Sequence, residues 1–180
     1  MASVSTYWRT LSLGDQLLWT ATANTQTRYN RFGVPYTPTG FQLFCELTLN
    51  VNLITPNTFN TTPPTLPSLP SITSPSCIID VSSSAYYING TVINGSADYY
   101  WLIEATRPVS AGVQTNRAPF CIINNTQDTT ALPTSLFTPY FKRYTFAPVA
   151  DQVIFTRISA IHFKDGWRTP SQVLRSVVTT

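Results

Sequence analysis

The chain has 180 residues, 43% of them hydrophobic, so its composition excludes a disordered chain and allows a sizeable buried core. Charged residues make up only 11%, the net charge is +3, and no three basic residues are consecutive, which leaves direct nucleic-acid binding doubtful. No apolar run approaches the ~20 residues that a membrane-spanning helix needs, so no membrane span is predicted.

The first 40 residues are predicted to form two strands and a loop. Alternating apolar and polar residues favour strands at 5–13 and 16–23, with a turn at Gly14-Asp15. Residues 24–40 contain two prolines and two glycines and are predicted to be a loop. The N-terminus lacks the charged start and the long apolar segment of a signal peptide, so no secretion signal is predicted.

Residues 41–54 show the clearest alternation in the chain. One face of the predicted strand is apolar and the other is polar, with Phe44 as the exception. A period of two over this length indicates a strand with one buried face, as in an antiparallel sheet. The apolar face holds Phe41, Leu43, Cys45, Leu47, Leu49, Val51 and Leu53.

Residues 55–76 form the longest low-complexity segment, with six prolines and no charged residue. Proline cannot donate to a sheet ladder or sit inside a helix, so an extended, polyproline-like backbone is expected. A loop of this length is often functional. We therefore expect a long Pro-rich arm or loop that contacts a neighbouring subunit through Leu66, Leu69 and Ile72. The alternative is a surface linker that makes no such contact.

A short strand at 77–81 is predicted to lead into a three-stranded meander between Ala85 and Thr106. The two turns of the meander are placed at Asn89-Gly90 and Asn94-Gly95, because Asn-Gly favours tight hairpin turns. The last strand, 99–103, is the most hydrophobic run and is expected at or near the centre of a sheet.

Further strands are predicted at 118–123 and 153–163, and the aromatic segment 136–146 is interpreted as a strand as well. The tail after Thr169 fits a short helix and a strand equally well, because a capping signature precedes β-branched residues. About eight strands and almost no helix predict an all-β fold, a single antiparallel β-sandwich domain over residues 1–180.

No catalytic, cofactor-binding or metal-binding residues are predicted, and the chain is not expected to be an enzyme. A Ser-His-Asp arrangement would need His162, the only histidine, and nothing marks two of the eight acidic residues as a catalytic pair. The basic and aromatic cluster 140–144 is expected to pack in the core with one exposed cation. The three cysteines are widely spaced and are expected to be free thiols: Cys45, Cys77 and Cys121.

In character, the whole chain resembles the small jelly-roll coat, penton and spike proteins of non-enveloped icosahedral viruses. It is short, 13% aromatic, poor in charge and rich in Thr, Asn and Pro, although no specific motif carries the resemblance. The resemblance implies two four-stranded sheets packed face to face and a place in the virion. It also implies contacts with copies of the chain and with other virion proteins. No Arg/Lys-rich N-terminal arm is present, which favours a penton, spike or outer-shell role over genome binding.

Two other classes stay open. One is a head domain of a viral or phage fibre, or of an adhesin, that binds a host receptor or glycan with loop aromatics. The other, less favoured, is a β-sandwich hydrolase.

Overall fold

The computed structural model describes residues 4–30, 32–127, 129–133 and 135–180. The chain forms two compact units. The first, which we call the helical unit, comprises Met1–Pro67 and His162–Trp167. The second, the sheet unit, comprises Ser68–Ile161 and Arg168–Thr180.

The helical unit contains three helices and a short antiparallel hairpin. In chain order these are α1 (Val4–Thr10), α2 (Leu13–Asn24), β1 (Arg28–Tyr29), β2 (Pro35–Tyr36) and α3 (Gly40–Asn52). The strands predicted at 5–13 and 16–23 are therefore wrong. The physical reason is a cap: the Ser12 side chain accepts a hydrogen bond from the Asp15 backbone N at 3.1 Å and so starts α2.

The strand predicted at 41–54 is also wrong, because this segment forms α3. Thr39 and Gln42 form a reciprocal capping box, in which each side chain accepts a hydrogen bond from the other residue's backbone N. The apolar residues satisfy a helical period as well as a period of two. The buried face of α3 includes Leu43, Phe44, Leu47 and Val51, which are spaced for one side of a helix.

The core of the helical unit forms where α2 and α3 cross. Trp19 of α2 and Phe44 of α3 are both fully buried, and their rings meet edge to face with centroids 5.2 Å apart. The crossing is close at Gly40, where an added Cβ would lie 2.7 Å from the Thr20 backbone N. The absence of a side chain at Gly40 allows this approach of the two helices.

The sheet unit contains six strands in one sheet and one helix packed on it. These are β3 (Ser71–Asp80), β4 (Ala85–Ile93), β5 (Tyr99–Ala105), β6 (Cys121–Gln127), α4 (Phe137–Tyr144), β7 (Val153–His162) and β8 (Gln172–Thr179). The strand order is β4-β3-β8-β7-β5-β6. The sheet is mixed, since β8 runs parallel to β3 and antiparallel to β7.

The expected eight strands are present and the fold is mostly β, but two parts of the fold prediction need correction. Six strands share one mixed sheet, so they do not form the two four-stranded antiparallel sheets of a jelly roll. The prediction of almost no helix is wrong, since α2 and α3 alone contain 12 and 13 residues. The prediction also extended the sandwich over residues 1–180. The described strands of the helical unit, β1 and β2, have two residues each, so the longer strands all lie in the sheet unit.

The meander predicted between Ala85 and Thr106 is only partly present. The strands β4 and β5 exist, but β4 runs straight through Asn89-Gly90, where a turn was expected. Gly90 has a φ of 150°, and a Cβ there would lie 2.6 Å from Ile72 Cγ2. The absence of a side chain at Gly90 therefore allows β4 to lie close to β3 at this point. The tight hairpin turn predicted at Asn94-Gly95 is also wrong: the chain bends at Asn94 and turns at residues 97–98, and β4 and β5 are separated by three strands in the sheet.

One face of the sheet is covered by α4, which replaces the strand interpreted at 136–146. Tyr140 and Tyr144 are one turn apart and are buried against the core. Their hydroxyls donate to two consecutive backbone carbonyls, Thr106 O at 3.1 Å and Ala105 O at 2.6 Å. The pair therefore ties α4 to the end of β5.

The remaining predicted strands agree with the structure. The strand at 77–81 lies largely within β3, and the strand at 153–163 matches β7. The strand predicted at 118–123 overlaps β6, which begins later, at Cys121, and continues beyond it to Gln127. The tail is the strand β8, which decides between the two alternatives left open.

Candidate functional site

The three residues predicted to contact another subunit have different environments. Leu66 is 55% exposed in the helical unit, whereas Ile72 of β3 is 5% exposed and belongs to the core of the sheet unit. Leu69 is partly buried and packs against that same core. Of the three, Leu66 therefore offers the largest apolar surface to a partner.

The Pro-rich segment 55–76 is fastened to its own chain. In the helical unit, the Trp19 indole N–H donates to Thr61 O at 3.0 Å, and the Trp167 indole N–H donates to Pro64 O at 3.3 Å. In the sheet unit, Tyr99 donates from its hydroxyl to Ser68 O at 2.8 Å, and β3 begins at residue 71. Three aromatic donors thus satisfy backbone carbonyls in a segment whose six prolines have no backbone N–H.

A different segment of the helical unit, the β1–β2 hairpin, carries a group of exposed apolar side chains. The β1–β2 hairpin is closed by Asn30, whose side-chain Oδ1 accepts hydrogen bonds from Phe32 N at 2.9 Å and Val34 N at 3.0 Å. Asn30 N also donates to Val34 O, and Gly33 has a φ of 75°. The loop is thus held by its own hydrogen bonds. Sequence analysis predicted only a loop here.

Four large apolar side chains extend from this hairpin into solvent, with exposed fractions between 46% and 73%. They are Tyr29, Phe32, Val34 and Tyr36. Single exposed apolar residues are ordinary, but a group on one short segment is typical of an interaction site. Aromatic residues are also the type enriched in protein interfaces.

The base of the hairpin is attached to α3. The Arg28 guanidinium donates two hydrogen bonds to the Glu46 carboxylate, each at 3.2 Å, and its carbon lies 6.0 Å from the centre of the Trp167 ring. Leu49 and Leu53 follow Glu46 at helical spacing and are both exposed. The four hairpin side chains together with Leu49 and Leu53 are called the hairpin surface below.

Several of the acidic residues considered as a catalytic pair bond to nearby hydroxyls, amides or cations. Asp80 accepts hydrogen bonds from the hydroxyls of Ser82 and Ser83, which lowers the pKa of its carboxyl. The carboxylate of Glu104 is shared by Arg157 and Arg168. His162 Nδ1 lies 2.9 Å from the Asp165 carboxylate. Asp128, one of the eight acids considered, lies outside the described residues.

The described ranges contain neither a side-chain cluster suited to a metal ion nor a membrane-spanning helix. Among these residues, no three His, Cys, Asp or Glu side chains are grouped so that they could hold a metal ion. Within the same part of the chain, no helix has both the length and the apolar character to cross a membrane.

Comparisons with known proteins add little. No protein family model matches the chain, and no curated protein matches it. Among solved structures, the chain is similar to an Fn3-like protein from Clostridium thermocellum, at 15% sequence identity and a TM-score of 0.38. The match covers 63% of this chain and 97% of that one, and its TM-score is too low to define the fold.

Proposed function

We propose that this protein is a structural subunit that associates with copies of itself through the hairpin surface. The proposal is supported mainly by one observation: four large apolar side chains are exposed on a hairpin that its own hydrogen bonds hold in place. A preformed loop loses little conformational freedom on binding, so more of the apolar gain remains as affinity.

The size of the surface agrees with a contact between copies. An interface of standard size buries about 800 Å² on each partner. The six side chains of the hairpin surface would supply on the order of half of that, and their flanking polar atoms would form the rim. Leu13, Leu17 and Leu18 are further exposed apolar residues of the same unit, on α2.

The charge of the chain also favours association between copies. Only 11% of the residues are charged and the net charge is +3, so like surfaces repel one another weakly. The cation at the base of the hairpin, Arg28, is already paired with Glu46. A partner that covers the hairpin therefore does not have to desolvate an unpaired charge at Arg28.

The specific form that we propose is a coat, penton or spike-type subunit of a virion, with copies of itself and other virion proteins as partners. This form comes from the composition of the chain and does not depend on a jelly roll, since the six strands of the sheet unit share one mixed sheet. No catalytic step, cofactor or metal is part of the proposal. The role of Leu66 as a contact of the Pro-rich segment is retained within it, on the strength of its exposure.

Sedimentation of the purified chain over about 1 to 100 μM tests the proposal, since useful self-association falls in this range. We expect a concentration-dependent dimer or larger assembly. The double substitution Phe32→Ser and Val34→Ser should shift it to monomer, while far-ultraviolet circular dichroism stays unchanged. A parent chain that remains monomeric at the highest concentration would contradict the proposal.

A matched control uses exposed valines of the sheet unit. Val149 and Val173 are exposed to a similar degree but lie outside the hairpin surface. The double substitution Val149→Ser and Val173→Ser should leave association unchanged.

The receptor-binding alternative gives a different pattern. It predicts a monomer or small oligomer that binds glycans through Tyr29 and Tyr36, and the variants Tyr29→Ala and Tyr36→Ala should lose this binding.

A further inference from the structure

A second candidate site lies at the free edge of the sheet unit. It is formed by residues that are not part of the hairpin surface. Cys121 is the first residue of the edge strand β6 and pairs with Ala105 of β5. It lines a cavity of about 390 Å³. The other lining residues are Arg107, Pro119, Arg143 and Tyr144.

Three separate segments deliver these side chains to one place. Arg107 follows the end of β5, and Arg143 and Tyr144 form the last turn of α4. The Tyr144 hydroxyl donates to Ala105 O at 2.6 Å, the carbonyl of the residue opposite Cys121. This bond fixes the end of α4 beside the thiol, so the cavity is formed by the fold and not by one mobile side chain.

The positive charge of the cavity is uncompensated. Neither Arg107 nor Arg143 forms an ion pair with any carboxylate that the structure describes, whereas Arg28, Arg157 and Arg168 all do. Among the described residues, no acidic side chain lines the cavity. Two guanidinium groups beside a thiol therefore leave room for an anionic group of a ligand.

The two arginines also alter the thiol. A hydrogen bond from the Arg143 guanidinium lowers the pKa of Cys121, with smaller help from the charge of Arg107 and against the effect of partial burial. The Tyr144 hydroxyl also lies within hydrogen-bonding reach of the sulfur, but its proton is committed to Ala105 O, so Arg143 is the main donor. The lower pKa raises the fraction of Cys121 that is thiolate, the nucleophilic form, at any given pH around that pKa.

The other cysteines provide an internal contrast. Burial raises the pKa of the Cys45 thiol. Cys77 is more fully buried, and burial raises the pKa of its thiol as well. The Cys77 sulfur lies 3.6 Å from Thr156 Oγ1. Buried thiols of this kind react slowly. Cys121 differs from both because cations and a cavity surround it.

We propose that the Cys121 cavity is a modification site for small disulfides that carry a carboxylate. Arg107 and Arg143 bind the carboxylate, and the Cys121 thiolate attacks the nearer ligand sulfur. A new S–S bond forms to Cys121 as the ligand's own S–S bond breaks, and the second ligand half leaves as a thiolate with the electron pair. Cys121 is oxidised, the ligand disulfide is reduced, and the thiol proton goes to water.

The test follows the native protein by stopped flow with three disulfides of different charge: dithiobis(nitrobenzoate), neutral dithiodipyridine and cationic cystamine. We expect one fast thiol per chain, lost in Cys121→Ser and confirmed by mass spectrometry of the adduct. The dicarboxylate should react about tenfold or more faster than cystamine after correction for intrinsic reactivity, and added salt should reduce this preference.

Substitution of the guanidinium separates recognition from simple exposure. Arg143→Gln should slow the dicarboxylate about tenfold, raise the pH midpoint of the fast phase, and leave the cystamine rate equal or higher. Lys142→Gln, an exposed cation one residue earlier that does not line the cavity, is the matched control and should change neither rate. A fast phase that survives in Cys121→Ser, or equal rates for all three disulfides after correction for intrinsic reactivity, would overturn the proposal.

Discussion

Glu104 of β5 and Arg157 of the neighbouring strand β7 form a two-point ion pair across the centre of the sheet. Arg157 Nε lies 2.8 Å from Glu104 Oε2, and Arg157 Nη2 donates to the other carboxylate oxygen. Arg168 adds a third donor at 2.9 Å and also donates to Ser159 Oγ. The ring of Phe120 covers the Arg157 guanidinium at 4.5 Å. A largely buried carboxylate is thereby solvated by two cations.

This network leads to the first prediction, for Glu104→Ala. Removal of the carboxylate leaves two guanidinium groups without their partner, so the free energy of unfolding should fall by about 2 to 3 kcal/mol. This loss is smaller than the loss expected for a fully buried ion pair, because both arginines are partly exposed. Urea denaturation followed by tryptophan fluorescence measures the change. The control is Glu46→Ala, which removes the more exposed partner of Arg28 and should cost less than about 1 kcal/mol. Equal losses in the two variants would contradict this account of Glu104.

The second prediction concerns the crossing of α2 and α3. Gly40→Ala should destabilise the helical unit by about 1 to 3 kcal/mol, because the added Cβ would lie 2.7 Å from the Thr20 backbone N. A backbone atom, unlike the end of a flexible side chain, cannot relieve this overlap by rotating away. Gly112→Ala is the control, since nothing lies within 4 Å of a Cβ there. Thermal unfolding of both variants checks the difference. If Gly40→Ala unfolds at the parent temperature, the helices do not pack this closely.

The third prediction is a loss of stability at alkaline pH. Burial raises the pKa of Tyr86 and Tyr140 well above that of a free phenol, and raises the pKa of Tyr144 to about 12. An unfolded tyrosine ionises near pH ~10. Below that pH the stabilisation is complete, and above it the unfolded state releases protons that the folded state keeps. Stability should therefore fall as the pH rises from about 10, by up to about 1.4 kcal/mol per pH unit for each such tyrosine.

Urea denaturation at several pH values between about 8 and 11.5 would show this slope, bracketing the ordinary phenol pKa. The Tyr86→Phe variant isolates one contribution. It loses the 2.6 Å hydrogen bond to Thr156 Oγ1 and should be less stable than the parent at pH ~8, yet its stability should decline less steeply above pH ~10. Parallel slopes for the two proteins would show that Tyr86 ionises equally readily in both states.

The strands of the sheet unit could be predicted because each has a simple local pattern. Residues 153–162 form a nearly continuous apolar and β-branched run, and β7 is buried on both faces. The helices were missed for an equally local reason. The alternation after Gly40 fits a strand, but Thr39 and Gln42 together form a capping signature that starts a helix. This signature spans the boundary between the predicted loop 24–40 and the predicted strand 41–54, and the prediction of a strand rests on the period of two alone.

The candidate surface could be predicted only in part. Leu66, Leu69 and Ile72 look alike in a Pro-rich segment, but which of them is buried depends on where β3 begins and on its pairing with β4. The hairpin was hidden for the opposite reason. Asn30 and Gly33 are turn residues in a segment read as a loop, and only the folded chain shows that Phe32 and Val34 remain exposed. Burial is a property of the tertiary fold, which single-residue patterns do not encode.

The last prediction separates the two roles within the Pro-rich segment. Ile72→Ala should lower the free energy of unfolding by about 2 to 4 kcal/mol, because Ile72 is 5% exposed in the core of the sheet unit and the substitution would leave a cavity. Leu66→Ala should change it by less than about 0.5 kcal/mol, because the side chain is exposed. If Leu66 contacts a second copy, Leu66→Ala should still weaken association in sedimentation experiments at a stability equal to the parent's. Unchanged association in that variant would remove the segment from the contact, and a large stability loss would show that Leu66 packs on its own chain.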